Sequence, residues 1–538
     1  MFIKKHPIGI ISMIVLTFFL LQLSPVLAKT TAKPSSTDSK QVEAVKVALA
    51  GASTLLTDQI NVKDYGAKGN GITDDTAAIQ RAIDEVADKG GGTVLFPGGR
   101  YLVLNVAAKA KVNLVGEDAT LIKNGGNDTT SVIRVNGYET DINSKLSSNL
   151  TAGTSTIKLN SVSGFDVGDY VIVRDNTYKY GDVGRNQEFR QIESISANSV
   201  TLTESTIGAY KSSSSAEMVK IEPVSNMTVD GLNIEIPTGT VGGGINGDLA
   251  YNIAIQNCTV SGPENMGGIA FYRSAYVNID GNKVQDGQDL ASPRGHGYGY
   301  VFGESSHNCI AQNNYTYNVR ENLITDNARY CSFINNEDVY SYDDSFNTHG
   351  TGCENILIAG NISRDTRGYG IPIGWEGSPA FDSYITVRDN KIYNSAGQSL
   401  VCLSDPGKEA NHIEFINNEI YNPAIVGDYA IEVSKGNDII ISGNTIYGGN
   451  GTWRGIGIIY CNKVEINNNN VNDILDEYGI VWDTCDSVSI DGNRLAEIDE
   501  FNLNSIGRNT NVSITNNVTD DPEILLEGNE YLADNIWG

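Results

Sequence analysis

Acidic, basic and aromatic side chains crowd into one stretch of the chain, Asn314 to Glu376. Three short apolar alternations there end in Asn314, Asn336 and Asn361, and a cluster able to do chemistry follows each one. Six residues past each Asn stand Arg320, Tyr342 and Arg367; seven past stand Glu321, Asp343 and Gly368; eight past stand Asn322, Asp344 and Tyr369. If the segments stack with similar turns, two arginines flank a tyrosine and carboxylates share one patch. Paired carboxylates suit acid–base attack on a glycosidic bond. Arginines can clamp a sugar carboxylate through paired N–H donors, while Tyr342, Tyr369 or His349 can carry the proton of a β-elimination. C5-epimerisation of a uronate needs nearly the same groups. His296, in the loop from Asp286 to Tyr300, and the pair Trp375 and Glu376 are further candidates for holding a ligand. Asp-Asp-Ser and Asn-Thr-His-Gly are also good turn formers, so the clustering rather than any one residue carries this reading.

Elements that could position such a patch are written in a repeat. The template apolar-x-apolar-x-x-Asn-x-apolar recurs with its Asn at 282, 314, 336, 361, 390, 418, 444, 469, 493 and 517. Self-similarity at about 20 to 50 residues marks a solenoid, and β-branched alternation with Gly and Asn turns makes it a β-solenoid. Equivalent positions then form columns, with the repeated Asn amides stacked at one turn and bonded to each other and to backbone. Cys309 and Cys331 each open the alternation of their repeat, where a small buried hydrophobe fits. Later in the repeat, Trp453, Arg454, Trp482 and Asp483 read as scattered exposed residues.

Upstream, Ala78, Ile79, Ala82, Ile83 and Val86 recur at helical spacing behind Thr73, Asp74 and Asp75, which offer capping oxygens. Gly90 to Gly92 end that helix, which is expected to cover the open end of the solenoid core. From Ser144 to Glu222 a Ser, Thr, Val and Ile-rich composition predicts a β-rich insertion, in which Tyr178, Tyr180, Arg185 and Arg190 are weaker ligand candidates. The expected organisation is a signal peptide over 1–28, a flexible leader over 29–53, cap and first coils over 54–143, insertion over 144–222, main solenoid over 223–519 and a cap or tail over 520–538.

Lys4 and Lys5, the apolar run Ile10 to Leu23 and Val26-Leu27-Ala28 form a secretory signal with cleavage after about Ala28, so the expected location is extracellular. A formal charge of −27 excludes nucleic acid and anionic membranes as electrostatic partners, and an anionic polysaccharide then needs a local basic site or a bridging cation. The sequence requires no cofactor; calcium is the one ion left open. Seven cysteines without a Cys-x-x-Cys pair give neither a disulfide framework nor a zinc site.

INVKDYGAKGNGITDDTAAIQRAIDEVADKGGGTVLFPGGRYLV, from Ile60 to Val103, resembles the N-terminal segment shared by polygalacturonases, the pectate-lyase-like superfamily and phage tailspike-type proteins. That resemblance implies an all-β fold, a right-handed parallel β-helix of about ten to thirteen coils, acting on a polysaccharide. Within it, ITDN with Asp326, YDD with Asp343 and Asp344, and GYGIPIG from Gly368 to Gly374 are similar to polygalacturonase segments. The likeness implies Asp326 with Asp343 or Asp344 as acid and base. Tyr369 stands where that family has His, and no Arg-Ile-Lys follows. Hydrolysis, β-elimination, epimerisation and a noncatalytic adhesive surface all remain open.

Overall fold

The computed structural model describes residues 59–125, 130–180, 183–264, 267–288, 297–349, 352–374, 382–423, 429–449, 452, 454–475, 477–520, 524–526 and 531–537. The segment read as signal and leader, with His296, Trp375, Glu376 and Trp453, lies outside them.

Three parallel sheets run the length of the solenoid, with sixteen strands in the first, sixteen in the second and fourteen in the third among the described residues. Each coil adds one strand to each sheet in turn, as Ser332–Ile334, Glu337–Val339 and Phe346–Thr348 do. Alternation drives this arrangement: Ile358, Val387, Phe415, Ile441 and Ile466 pair in register and are all buried, while their strand neighbours face outward. Sixteen strands exceed the expected ten to thirteen coils because the earliest coils lack the Asn template. The chain end, expected as a cap or tail, instead adds Ile524–Leu525, Tyr531–Ala533 and Ile536–Trp537 to the three sheets. Asn535 follows Asn517 after only 18 residues, and this short coil breaks the apparent period without leaving the stack.

From Asn282 onward every coil turns between the first and second sheets at the repeated Asn. Asn336 is typical: its Nδ2 donates to Asn361 Oδ1 at 3.0 Å and to the Ala311 carbonyl at 3.0 Å, and its backbone N–H also donates to Asn361 Oδ1 at 2.9 Å. The same pattern runs from Asn282 through Asn517 to Asn535. The residue before each Asn is left-handed, with φ between 53° and 68° at Gly281, Asn313, Asn335, Gly360, Asp389, Asn417, Gly443, Asn468, Gly492 and Asn516. Only Gly, Asn and Asp adopt that conformation cheaply, which is why the motif reads Gly-Asn, Asn-Asn or Asp-Asn.

Helix α1 (Thr76–Asp88) buries Ala78, Ile79, Ala82, Ile83 and Val86 against the first coils. Its capping differs from expectation: Asp74 Oδ1 accepts the Thr76 N–H, while both Asp75 oxygens are taken by the Lys68 and Gly69 N–H groups. Tyr138 to Glu222 form a six-stranded antiparallel sheet, starting ahead of the Ser144 boundary because Tyr138–Lys145 is its edge strand. That sheet has its own core around Val171, Val200 and Met218, and Phe189 packs it onto Ala275 and Tyr276 of the solenoid. Arg190, one of the weaker ligand candidates, is buried in an ion pair with Glu188 and cannot meet a ligand. All seven cysteines are buried free thiols. Trp482, expected exposed, is fully buried because it alternates with Ile480 on the inward side of its strand.

Candidate active site

The outward face of the third sheet carries the densest chemistry. Phe346–Thr348 points Phe346 inward, so alternation turns Asn347 and then His349 outward. Thr325 pairs with Thr348, which places Asp326 beside His349 on adjacent coils. Just before these strands the chain crosses the corner from the second sheet, bringing Glu321 and Asp344 to the same face.

Asn347 Nδ2 donates to Glu321 Oε2 at 3.2 Å and to Asp344 Oδ2 at 2.9 Å, so one amide bridges two carboxyl groups. The other Asp344 oxygen accepts the Tyr369 backbone N–H at 2.9 Å. His349 Nε2 lies 3.3 Å from the bridged Glu321 Oε2. Burial and the charges of Glu321 and Asp343 hold the Asp344 carboxyl well above its usual range. Burial alone would lower His349, but the bond and charge of Glu321 outweigh it and raise the imidazole.

Exposure separates the members. Glu321 is 2% exposed and Asp344 4%, whereas the His349 side chain is 32% exposed and Asp343 43%. Arg320 reaches Glu321 and Asp343 at 3.5 Å each and lies 5.1 Å over the Tyr298 ring. Burial, with Glu321 next in weight, raises the Tyr298 phenol so that it holds its proton. The groups that can touch a ligand are therefore His349, Asp326, Arg320, Asp343 and Tyr298, with Glu321 and Asp344 behind them.

What the spacing reading treated as one patch is two. Tyr342 and Arg367 sit on the exposed corner, where the Arg367 guanidinium lies 4.7 Å from the Tyr342 ring and 4.8 Å from that of Tyr340 and donates to Tyr340 Oη at 2.6 Å. Arg320 and Asp343 link this corner to the buried acids. Glu321, read as a ligand contact, is instead a buried partner of His349 and Asp344. Tyr369 meets the acids through its backbone N–H. Asn347 was missed, although the F-N-T-H alternation puts it on the face of His349. Among the described residues no group of three or more His, Cys, Asp or Glu side chains is arranged to hold a metal ion.

Residues 59–292 match the family model described as rhamnogalacturonase A/epimerase, pectate lyase-like, and residues 378–531 match that of the right handed beta helix region. The chain carries a pectate lyase-like region followed by a right-handed β-helix region. It is 42% identical over 82 residues to mannuronan C5-epimerase AlgE5 of Azotobacter vinelandii, a match covering 15% of this chain and 8% of that protein. It is 42% identical over 81 residues to alginate lyase 7 of the same organism, covering 15% and 10%. The chain thus matches about a tenth of the length of these relatives. In fold it is similar to PfbA, a surface adhesin of Streptococcus pneumoniae, with a TM-score of 0.54 at 18% identity over 80% of this chain and 92% of that one.

Proposed function

We propose that this β-helix cleaves an acidic polysaccharide by β-elimination at a uronate residue. The carrying observation is that the partly exposed imidazole of His349 rests on buried Glu321, itself bridged through Asn347 to buried Asp344. A carboxylate behind a histidine raises its basicity and stabilises the imidazolium it becomes. Neutral His349 takes the C5 proton; the C–H electron pair forms the C4=C5 bond, and the C4–O4 bond breaks. Arg320 neutralises the sugar carboxylate, which makes C5 acidic, and the Tyr298 phenol supplies the proton to O4. His349 and Arg320 both contact Glu321, and Arg320 lies over the Tyr298 ring, so base, clamp and acid border one surface. Hydrolysis by Asp326 with Asp344 is disfavoured because the Asp344 carboxyl is buried and already accepts the Asn347 and Tyr369 N–H groups; Asp326 with the partly exposed Asp343 is the hydrolytic pair that a reducing-end assay tests.

Relatives that are mannuronan C5-epimerases favour a second reading, in which the proton returns to the other face of C5 and no bond to O4 breaks. Either substrate fits an exported chain, so we also propose that residues 1–28 direct secretion. Incubation with a panel of uronate polysaccharides tests the reading. New ultraviolet absorbance from the unsaturated product, lost at least a thousandfold in His349→Gln, is expected. Deuterium uptake at C5 without chain shortening would show epimerisation, and new reducing ends without that absorbance would show hydrolysis. Binding with none of these would leave a noncatalytic carbohydrate surface and sink the proposal.

A further inference from the structure

One inward column of the second sheet changes character beneath the site. Val284, Thr316, Asp338, Ser363 and Ile392 pair in succession, so three polar side chains interrupt an apolar column at the coils that carry the candidate site. Asp338 is completely buried. Its Oδ1 accepts Thr316 Oγ1 at 2.7 Å and Ser341 Oγ at 2.9 Å, and its Oδ2 accepts Ser341 Oγ at 2.8 Å and Ser345 Oγ at 2.7 Å. Hydroxyl and backbone donors, with no basic group among the described residues, oppose the burial that pushes this carboxyl up to about 6.

Such a group is a poor way to stabilise a core, since an apolar side chain of similar volume, as Ile392 supplies one coil beyond Ser363, fills the space without desolvating a carboxyl. Its use lies in what it grips. Ser341 and Ser345 bracket Tyr342, Asp343 and Asp344, and the same turn is tied outward by the Tyr342 and Asp343 N–H groups to the Val319 and Arg320 carbonyls, both at 2.9 Å. Thr366 Oγ1 donates to the Asp343 carbonyl at 2.8 Å. Both ends of the turn are therefore held from inside the solenoid and its middle from the neighbouring coils.

We infer that Asp338 is a positioning residue, clamping the Ser341 to Ser345 turn from the interior so that Asp344 is held in place behind His349 and Asp343 beside Arg320. Its consequence for rate rests on the β-elimination reading; its grip on the turn does not. The test compares full-length Asp338→Leu and Asp338→Asn with Ser363→Val, a polar-to-apolar change one coil along the same column and away from the turn. Hydrogen exchange at the amides of Tyr342 and Asp343 is expected to quicken at least tenfold in Asp338→Leu and to stay at the wild-type rate in Ser363→Val. On the substrate found for the wild type, kcat is expected to fall at least tenfold with KM within twofold, with partial rescue in Asp338→Asn. If Asp338→Leu does not fold, Ser345→Ala removes one arm of the clamp and reads the same amides. Wild-type exchange in these variants overturns the clamp whatever the activity. Quickened exchange with unchanged kcat upholds the clamp and refutes the turn's part in the reaction.

Discussion

Replacing Asn390 by Ala in the middle of the asparagine ladder removes four buried hydrogen bonds at once. Asn390 Oδ1 accepts the Asn361 N–H at 2.8 Å and Asn361 Nδ2 at 3.0 Å; its Nδ2 donates to the Ile358 carbonyl at 2.9 Å and to Asn418 Oδ1 at 3.0 Å. The side chain is 1% exposed, so no water replaces it. Asn361 keeps an Nδ2 bond to the Phe333 carbonyl, and Asn418 Oδ1 keeps its bond from the Asn390 N–H. The groups left without a partner are the Asn361 N–H and one lone pair of Ile358 O. At about 1–3 kcal/mol for each stranded buried group, plus about 1 kcal/mol for the weakened amide contacts, the expected loss is about 4 kcal/mol. Urea unfolding followed by circular dichroism measures it, with hydrogen exchange on the two adjoining coils to show where opening starts. Asn517→Ala, near the end of the stack, should lose about half as much, since its partner Asn535 is only partly buried. A loss below about 1 kcal/mol at Asn390 would refute the view that the ladder holds the coils together.

Other perturbations have equally definite signs. In the fold Asp338 titrates at about 6 against 3.8 as its reference, so the folded state holds its proton more tightly than the unfolded one. Its contribution is most favourable below about pH 4 and is lost as pH rises through 6, about 3 kcal/mol in all. The stability of Asp338→Asn relative to wild type should therefore climb across that window, and a flat difference would contradict it. If neutral His349 is the base, kcat/KM rises with pH through an imidazole value above the usual one. Glu321→Gln then shifts that limb to lower pH and cuts the rate about 10- to 100-fold, whereas an unmoved limb assigns it elsewhere. Arg320→Ala should raise KM on uronate polymers at least tenfold, and wild-type activity should survive chelation because Arg320 supplies the charge a cation would. Abolition by chelation would put a metal in that role.

The ladder could be read from the chain because two demands fall on neighbouring residues: a left-handed φ admits Gly, Asn or Asp, and a buried amide pair admits Asn. Few sequences satisfy both by accident. Helix α1 was legible for a similar reason, its five buried positions following one helical face. The site was less so. Counting outward from Asn finds Arg320, Tyr342 and Arg367 at one corner, but whether the next residue stays on the corner or folds under onto the third sheet depends on how the turn bends. Glu321 and Asp344 go under; Asp343 does not. Asp338 could have been found: it stands two past Asn336, where the template has an apolar residue, so the repeat itself points this carboxyl inward.

The asparagine corner behaves like the spine of a bound book. Successive ladder residues are 18 to 32 apart in sequence, yet every one bonds to the next with the same geometry. Variation in coil length is thus displaced to the other two corners: the longest interval gains its length over 286–299, between the second and third sheets, and others gain theirs at the fore-edge, beyond the third sheet. A lineage of such chains can lengthen, shorten or exchange the loops there without moving any strand out of step, and an engineer can do the same by grafting between the end of one third-sheet strand and the start of the next first-sheet strand. The page margins are free to be rewritten because the stitching is elsewhere.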